Sequence, residues 1–127
     1  MAIWRRIDMA FAVEEIPDKA NLFRKIHRTQ YDEKNGAVSS AAFKQERMSA
    51  NWEKYRTAEA SADQNSAAVV ALTGGECRGL NQTIEHTPIE PEQDFGPNQA
   101  HAEVCGKKTN ATCHQLRDKA KIIWLKA

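Results

Sequence analysis

The sequence contains no long hydrophobic run and no excess of charge of either sign. Its longest stretch without Asp, Glu, Lys or Arg, residues 64–75, is largely polar and is shorter than the roughly 18 apolar residues of a membrane-spanning helix. The 18 Lys and Arg residues nearly balance the 17 Asp and Glu residues, so the whole chain creates no field that attracts polyanions. These absences predict a protein that acts without a membrane and without nucleic acid.

The cysteine pattern excludes two further kinds of stabilisation. Cys77, Cys105 and Cys113 are odd in number and share no repeated spacing, which argues against a disulfide framework and favours a reducing compartment. No Cys-x-x-Cys pair is present, and the adjacent Cys113 and His114 would point to different sides of a helix or strand, so we expect no metal and no cofactor. Because the apolar residues 9–13 are too few for a secretory signal, the sequence predicts a cytoplasmic protein.

The length and the composition of the chain suit one folded domain. The chain has 127 residues and a mass of 14.3 kDa, with 41% hydrophobic and 28% charged residues, an ordinary balance for a globular protein. We predict an α+β fold over residues 20–127, a single compact domain with a mostly antiparallel sheet of about four or five strands and two or three helices. Residues 1–19, which contain an acidic turn at Pro17, are predicted to form an arm.

Local patterns place the elements of that domain. Strand-like composition or alternation is found at residues 22–26, 67–72, 82–86 and 100–104, with a further short strand at 38–43 after a turn at 32–36. Thr73 and Glu76 have the spacing of a capping box, and Thr109 can cap a final helix. We expect one or two short helices within residues 49–63, and residues 122–125 belong either to the final helix or to a last strand.

Four boxes in the chain resemble those of a family of short, uncharacterised bacterial proteins. They are an Arg-x-Ile-His start, a Ser-Ser-Ala-Ala-Phe-Lys segment, a Met-Ser pair and an Asn-x-Ala-His-Ala-x-Val-x-Gly-Lys-Lys segment, here at residues 24–27, 39–44, 48–49 and 98–108. The resemblance implies an order of boxes and no particular activity. Arg28 stands where the family pattern has Pro, and the Cys113-His114 pair is outside the pattern.

The last box is the first candidate for a functional site. It puts His101 on a predicted strand and Lys107 and Lys108 just before a predicted helix. Backbone amides at a helix N-terminus, helped by lysines, attract phosphate or carboxylate groups. The segment is not a Walker loop, because the upstream glycine is missing and Lys108 stands where Ser or Thr is needed. The alternative is a purely structural role, in which Gly106 only turns the chain and the lysines stay solvated.

The chain's histidines and serines extend this candidate site. The predicted ligand-binding residues are His27, Ser39, Ser40, Asn98, His101, Lys107 and Lys108. An enzymatic alternative is a hydrolase or nuclease-like protein in which His86 and His101 act as acid and base and Lys107 stabilises developing negative charge. No Gly-x-Ser-x-Gly elbow supports a serine nucleophile. Histidines with purely structural roles are the competing explanation, and whether the protein is an enzyme stays open.

A third reading is an interaction module. Trp4, Phe11 and Ile16 in the arm can pack on this domain or on a second copy, which would give a homodimer. Nucleic-acid binding by the basic C-terminal residues is disfavoured, since Trp124 is the only aromatic residue near them. The function predicted first is therefore binding of a small anionic ligand, or of a protein partner, near His101 and Lys107.

Overall fold

A computed structural model describes residues 11–90 and 96–127 of the chain. Its strands are β1 (Asn21–His27), β2 (Tyr31–Asp32), β3 (Ala37–Val38), β4 (Arg47–Trp52), β5 (Ser66–Thr73), β6 (Thr83–His86), β7 (His101–Cys105) and β8 (Lys121–Leu125). The α-helices in the described ranges are α1 (Ala58–Ser61), α2 (Gly74–Gly79) and α3 (Asn110–Lys119), and Arg28–Gln30 and Ser40–Phe43 form 3-10 turns.

Six of the strands form one antiparallel sheet in the order β6-β7-β4-β1-β5-β8, while β2 and β3 form a separate small hairpin. The predicted α+β class, with a mostly antiparallel sheet and three helices in the described ranges, is confirmed. The sheet has more strands than expected, because residues 47–52 and 121–125 both join it.

One face of the sheet carries the hydrophobic core. Side chains alternate along each strand, so Leu22 and Ile26 of β1 and Val70 and Leu72 of β5 enter the same layer, and all four are buried. Helices α2 and α3 and the turn Ser40–Phe43 supply Cys77, Leu116 and Phe43 to that layer. The opposite face carries mostly polar side chains, among them Lys25, Ser49 and Glu103.

The arm packs against its own domain over the residues that the structure describes. Ile16 is only 2% exposed and belongs to the core cluster. The Glu14 carboxylate accepts hydrogen bonds from Lys54 and Tyr55, which together hold its pKa below the usual value. Arg78 of α2 forms an ion pair with Asp18 at 2.6 Å. Trp4 lies outside the described residues.

Helix caps follow the sequence pattern closely. Thr73 accepts a hydrogen bond from the Glu76 amide at 3.1 Å, and the Glu76 carboxylate accepts one from the Thr73 amide at 2.9 Å. This is the capping box that the spacing predicted, and α2 begins there. Thr109 caps α3 in the same way, by accepting from the Thr112 amide at 3.2 Å. Both helix starts are therefore confirmed.

Two local predictions hold only in part. Residues 49–52 form the second half of strand β4 and no helix, and α1 occupies only Ala58–Ser61 of the expected helical region. The reason is pairing: Ala50 and Trp52 alternate into the core between β1 and β7, which outweighs the capping pattern at Ser49. The strand expected at 38–43 is mainly the 3-10 turn Ser40–Phe43, which packs Ala42 and Phe43 into the core.

The last residues form an edge strand and are not part of the final helix. β8 pairs with β5 on one side only, and Ile122, Ile123 and Leu125 are 38%, 44% and 52% exposed.

Among the helices of residues 11–90 and 96–127, none is both long and apolar enough to cross a bilayer.

Candidate anion-binding pocket

A pocket opens where β1 and β4 separate. These strands are in register only at Leu22–Trp52 and Phe23–Asn51, and they then diverge. The gap forms the floor of a cavity of about 500 Å³. Its walls come from β1 and β4, from residues 60–63, and from Asn98 and His101.

Arg24 fills the gap between the diverging strands. Its Nε donates to the Ala42 carbonyl at 3.1 Å, Nη1 to the Ser49 carbonyl at 2.8 Å and Nη2 to Gln45 Oε1 at 3.2 Å. The guanidinium thus ties a carbonyl of the turn Ser40–Phe43 to a carbonyl of β4. Three of its five N–H groups are engaged, which leaves two for a ligand.

The charge of Arg24 has no counter-ion in the described part of the chain. No carboxylate of residues 11–90 or 96–127 forms an ion pair with it, although other cations are paired. Burial lowers the pKa of Arg24 to about 10, so the side chain stays protonated at neutral pH. A desolvated guanidinium therefore lines the pocket with no carboxylate partner in residues 11–90 and 96–127.

Two further cations line the pocket. Lys25 forms an ion pair with Asp63 at 2.8 Å, and this hydrogen bond is the main reason that the pKa of Asp63 falls to about 2. Arg56 is half-buried and has no hydrogen-bond or ion-pair partner among the residues that the structure describes. Lys25 therefore has a carboxylate partner, whereas Arg24 and Arg56 have none among the described residues.

Three of the predicted ligand residues line this pocket, namely His27, Asn98 and His101. His101 lies directly opposite Asn51 in the sheet register, and Asn98 donates to Asn51 Oδ1 at 2.8 Å. His27 lies four residues beyond Phe23 along β1, about 13 Å away at 3.3 Å per residue. It therefore lines the opposite end of the pocket.

The other predicted ligand residues have structural positions elsewhere. Ser39 caps the turn Ser40–Phe43 by accepting from the Ala41 amide at 3.2 Å, and Ser40 begins that turn. The Lys108 ammonium donates to three backbone carbonyl groups at 3.0, 3.0 and 3.2 Å, and burial lowers its pKa. Lys107 is exposed beyond the far end of β7. Neither lysine lines the pocket with His101.

His86 has a structural environment on the core face. The ring is buried, Nδ1 accepts from the Glu14 amide at 2.9 Å, and Nε2 donates to the Gln99 carbonyl at 2.7 Å. The Trp52 ring packs edge-on against it with centroids 5.3 Å apart. Because His86 is in register with Ala102, it points to the face opposite His101. The fold does not bring His86, His101 and Lys107 together.

Replacing His86 with Asn should therefore destabilise the fold. We expect the free energy of unfolding to fall by about 2 kcal/mol, since the part-buried Glu14 amide and Gln99 carbonyl lose their partners. The matched change His101→Asn, at a partly exposed ring, should cost less than about 1 kcal/mol. Urea unfolding of both variants measures the difference, and equal losses would contradict this assignment.

Segments from all four sequence boxes meet at the pocket. The first supplies Arg24 and His27, the second the Ala42 carbonyl that holds Arg24, the third Ser49, and the fourth Asn98 and His101. Sequence reasoning missed Arg24, Lys25, Arg56 and Asp63. A signal was present for Arg24, because a charged residue stood between Leu22 and Ile26 on the apolar face of a strand.

Comparisons with protein-family models, curated proteins and solved structures give no match. No three His, Cys, Asp or Glu side chains of the described ranges come close enough to share a metal ion.

Proposed function

We propose that this protein binds a small anionic ligand in the pocket between β1 and β4. The observation that carries the proposal is Arg24, a desolvated guanidinium that lines the cavity without a carboxylate partner among the described residues. Buried charges in proteins are normally paired, since an uncompensated one is costly. An anion bound next to Arg24 supplies that missing compensation.

The rest of the pocket supports the same class of ligand. Three formal positive charges, on Arg24, Lys25 and Arg56, face one negative charge on Asp63. A volume of about 500 Å³ is within the usual range of small-molecule sites, about 300 to 1,000 Å³. Direct hydrogen bonds between a guanidinium and a carboxylate or phosphate are among the stronger polar contacts. The ligand is therefore a small molecule with a carboxylate or phosphate group.

The two alternative functions receive less support. The hydrolase alternative needs His86, His101 and Lys107 in one site, and they lie on two faces and at two ends of the sheet. Homodimer formation through the arm that carries Trp4, Phe11 and Ile16 stays a prediction, and light scattering over a range of concentrations tests it. Binding of an anion is the function for which the pocket offers a specific group.

Arg56→Gln is the test that least disturbs the fold. Because Arg56 has no partner in the described ranges, its neutralisation should leave the melting temperature within about 2 °C and weaken phosphate binding about three- to tenfold. Isothermal titration with inorganic phosphate measures the affinity. Arg28→Gln, which removes an exposed arginine outside the pocket, is the matched control and should bind as the parent does. Equal affinity in all three proteins, or no binding by the parent chain to phosphate or to small carboxylates, would reject the proposal.

A further inference from the structure

The end of the pocket formed by Asn51, Asn98 and His101 has a defined set of donors and acceptors. Asn98 Oδ1 accepts from the Ala100 amide at 3.1 Å, which fixes the orientation of its side-chain amide because a backbone N–H only donates. Asn98 Nδ2 then donates to Asn51 Oδ1 at 2.8 Å. Asn51 consequently presents its NH₂ group, and both N–H donors of that group have no protein partner among the described residues.

His101 adds an acceptor to this end of the pocket. Its Nδ1 lies 3.0 Å from the Thr87 carbonyl and 2.9 Å from the Thr87 hydroxyl. A carbonyl oxygen only accepts, so Nδ1 is the protonated nitrogen, and in the neutral imidazole with this tautomer Nε2 is a lone-pair acceptor. Within the described ranges Nε2 has no partner. Amide donors and an imidazole acceptor therefore line one end of the cavity.

This combination of groups matches a hydroxyl group. A hydroxyl both donates and accepts, so it can bond to the Asn51 amide and to His101 Nε2 together, whereas a second anionic group would face the Nε2 lone pair. Asn51 lies two residues from Ser49, whose carbonyl holds Arg24, about 6.6 Å along β4. The spacing suits a short chain with an anionic group at one end and hydroxyl groups at the other.

We propose that the ligand is a polyhydroxylated anion, a polyol or sugar derivative with one phosphate or carboxylate group, whose hydroxyl groups bind Asn51, Asn98 and His101. This inference rests on the proposed function, since Arg24 holds the anionic group. Asn51 and His101 then determine specificity among anions that Arg24 alone would accept equally.

Three five-carbon ligands test the proposal on the full chain by isothermal titration. They are n-pentyl phosphate, D-ribitol 5-phosphate and pentane 1,5-bisphosphate, which share a five-carbon chain with a phosphate at one end and carry, respectively, no further polar group, hydroxyl groups on the other carbons, or a second phosphate. We expect D-ribitol 5-phosphate to bind about tenfold more tightly than n-pentyl phosphate. Its hydroxyl groups form additional hydrogen bonds, and the net energy of such bonds corresponds to a gain in affinity of this size. The bisphosphate should bind no more tightly than n-pentyl phosphate.

Variants assign the preference to the named residues. Asn51→Leu should bring the ribitol phosphate down to the affinity of n-pentyl phosphate and leave the latter unchanged, and His101→Phe should do the same if Asn51→Leu fails to fold. Equal binding of the two monophosphates by the parent chain overturns the hydroxyl inference and leaves the anion site standing. Tightest binding of the bisphosphate also overturns it, in favour of a second anion subsite. Absence of binding by all three overturns both proposals.

Discussion

Arg24→Gln should weaken binding of inorganic phosphate about 100-fold, because the ligand loses a charged hydrogen-bond donor in a desolvated site. The loss should exceed that of Arg56→Gln, since desolvation acts on Arg24, which leaves its charge less screened by water, and three hydrogen bonds hold its guanidinium in place. Isothermal titration with phosphate measures both losses under one salt condition. Which of the two variants loses more affinity is as informative as the size of each loss.

The fold must be followed in the same experiment, because Arg24 also holds the Ala42 and Ser49 carbonyls. A glutamine side chain can donate to only some of the acceptors that Arg24 holds. We therefore expect the free energy of unfolding to fall by about 1 to 2 kcal/mol. Arg24→Lys keeps the charge and loses the planar fork, so it should retain intermediate affinity. A folded Arg24→Gln protein with the affinity of the parent, beside an unaffected Arg28→Gln control, would show that the anion binds elsewhere.

Gly106→Ala should destabilise the protein by about 3 kcal/mol. Gly106 has φ of +146°, a conformation that side chains other than glycine rarely adopt. A Cβ atom there would lie 2.8 Å from Gln82 Oε1 and 3.0 Å from Gln82 Cδ. Gln82 is buried and held by its bonds to the Leu80 and Lys107 carbonyls, so it cannot move away at low cost. Thermal and urea unfolding measure the loss.

Gly79→Ala is the matched control for that experiment. Gly79 ends α2, and a Cβ atom there meets nothing within 4 Å, so alanine should be neutral or stabilise by up to about 1 kcal/mol. The double variant Gly106→Ala with Gln82→Ala should recover only the steric part of the loss, because the backbone conformation stays unfavourable. Full recovery would show that the contact with Gln82 is the whole effect, and no loss in the single variant would contradict the reading of this turn.

Gly106 also illustrates how a correct local pattern can suggest the wrong role. The sequence showed glycine followed by two lysines before a helix, which is the composition of an anion site. In the structure Lys108 folds back onto the carbonyls of Glu46, Val104 and Gly106, and it closes the end of the β4–β7 pair. The charge is used to satisfy backbone acceptors, which no count of lysines along the chain reveals.

The histidines show that a local pattern can place a residue on a strand without deciding which face of the sheet it occupies. Alternation correctly placed His101 on the polar face of its strand, next to Glu103, and a strand was correctly expected for residues 82–86. The side of the sheet on which His86 lies depends on its pairing with Ala102 of a neighbouring strand. That pairing, which spans a long loop, decided that His86 is a buried structural residue and that His101 lines the pocket.

The sequence by itself determined the α+β class, four of the strands, the starts of α2 and α3, and the polar face of β7. These features depend on local causes, namely side-chain alternation, helix caps and turn residues. Only the tertiary structure decided that residues 49–52 are a strand, that β1 and β4 separate, and that Arg24 lines the gap between them. The physical reason is that strand pairing and the desolvation of a charge are set by residues far apart in the chain, and the pocket exists only where such residues meet.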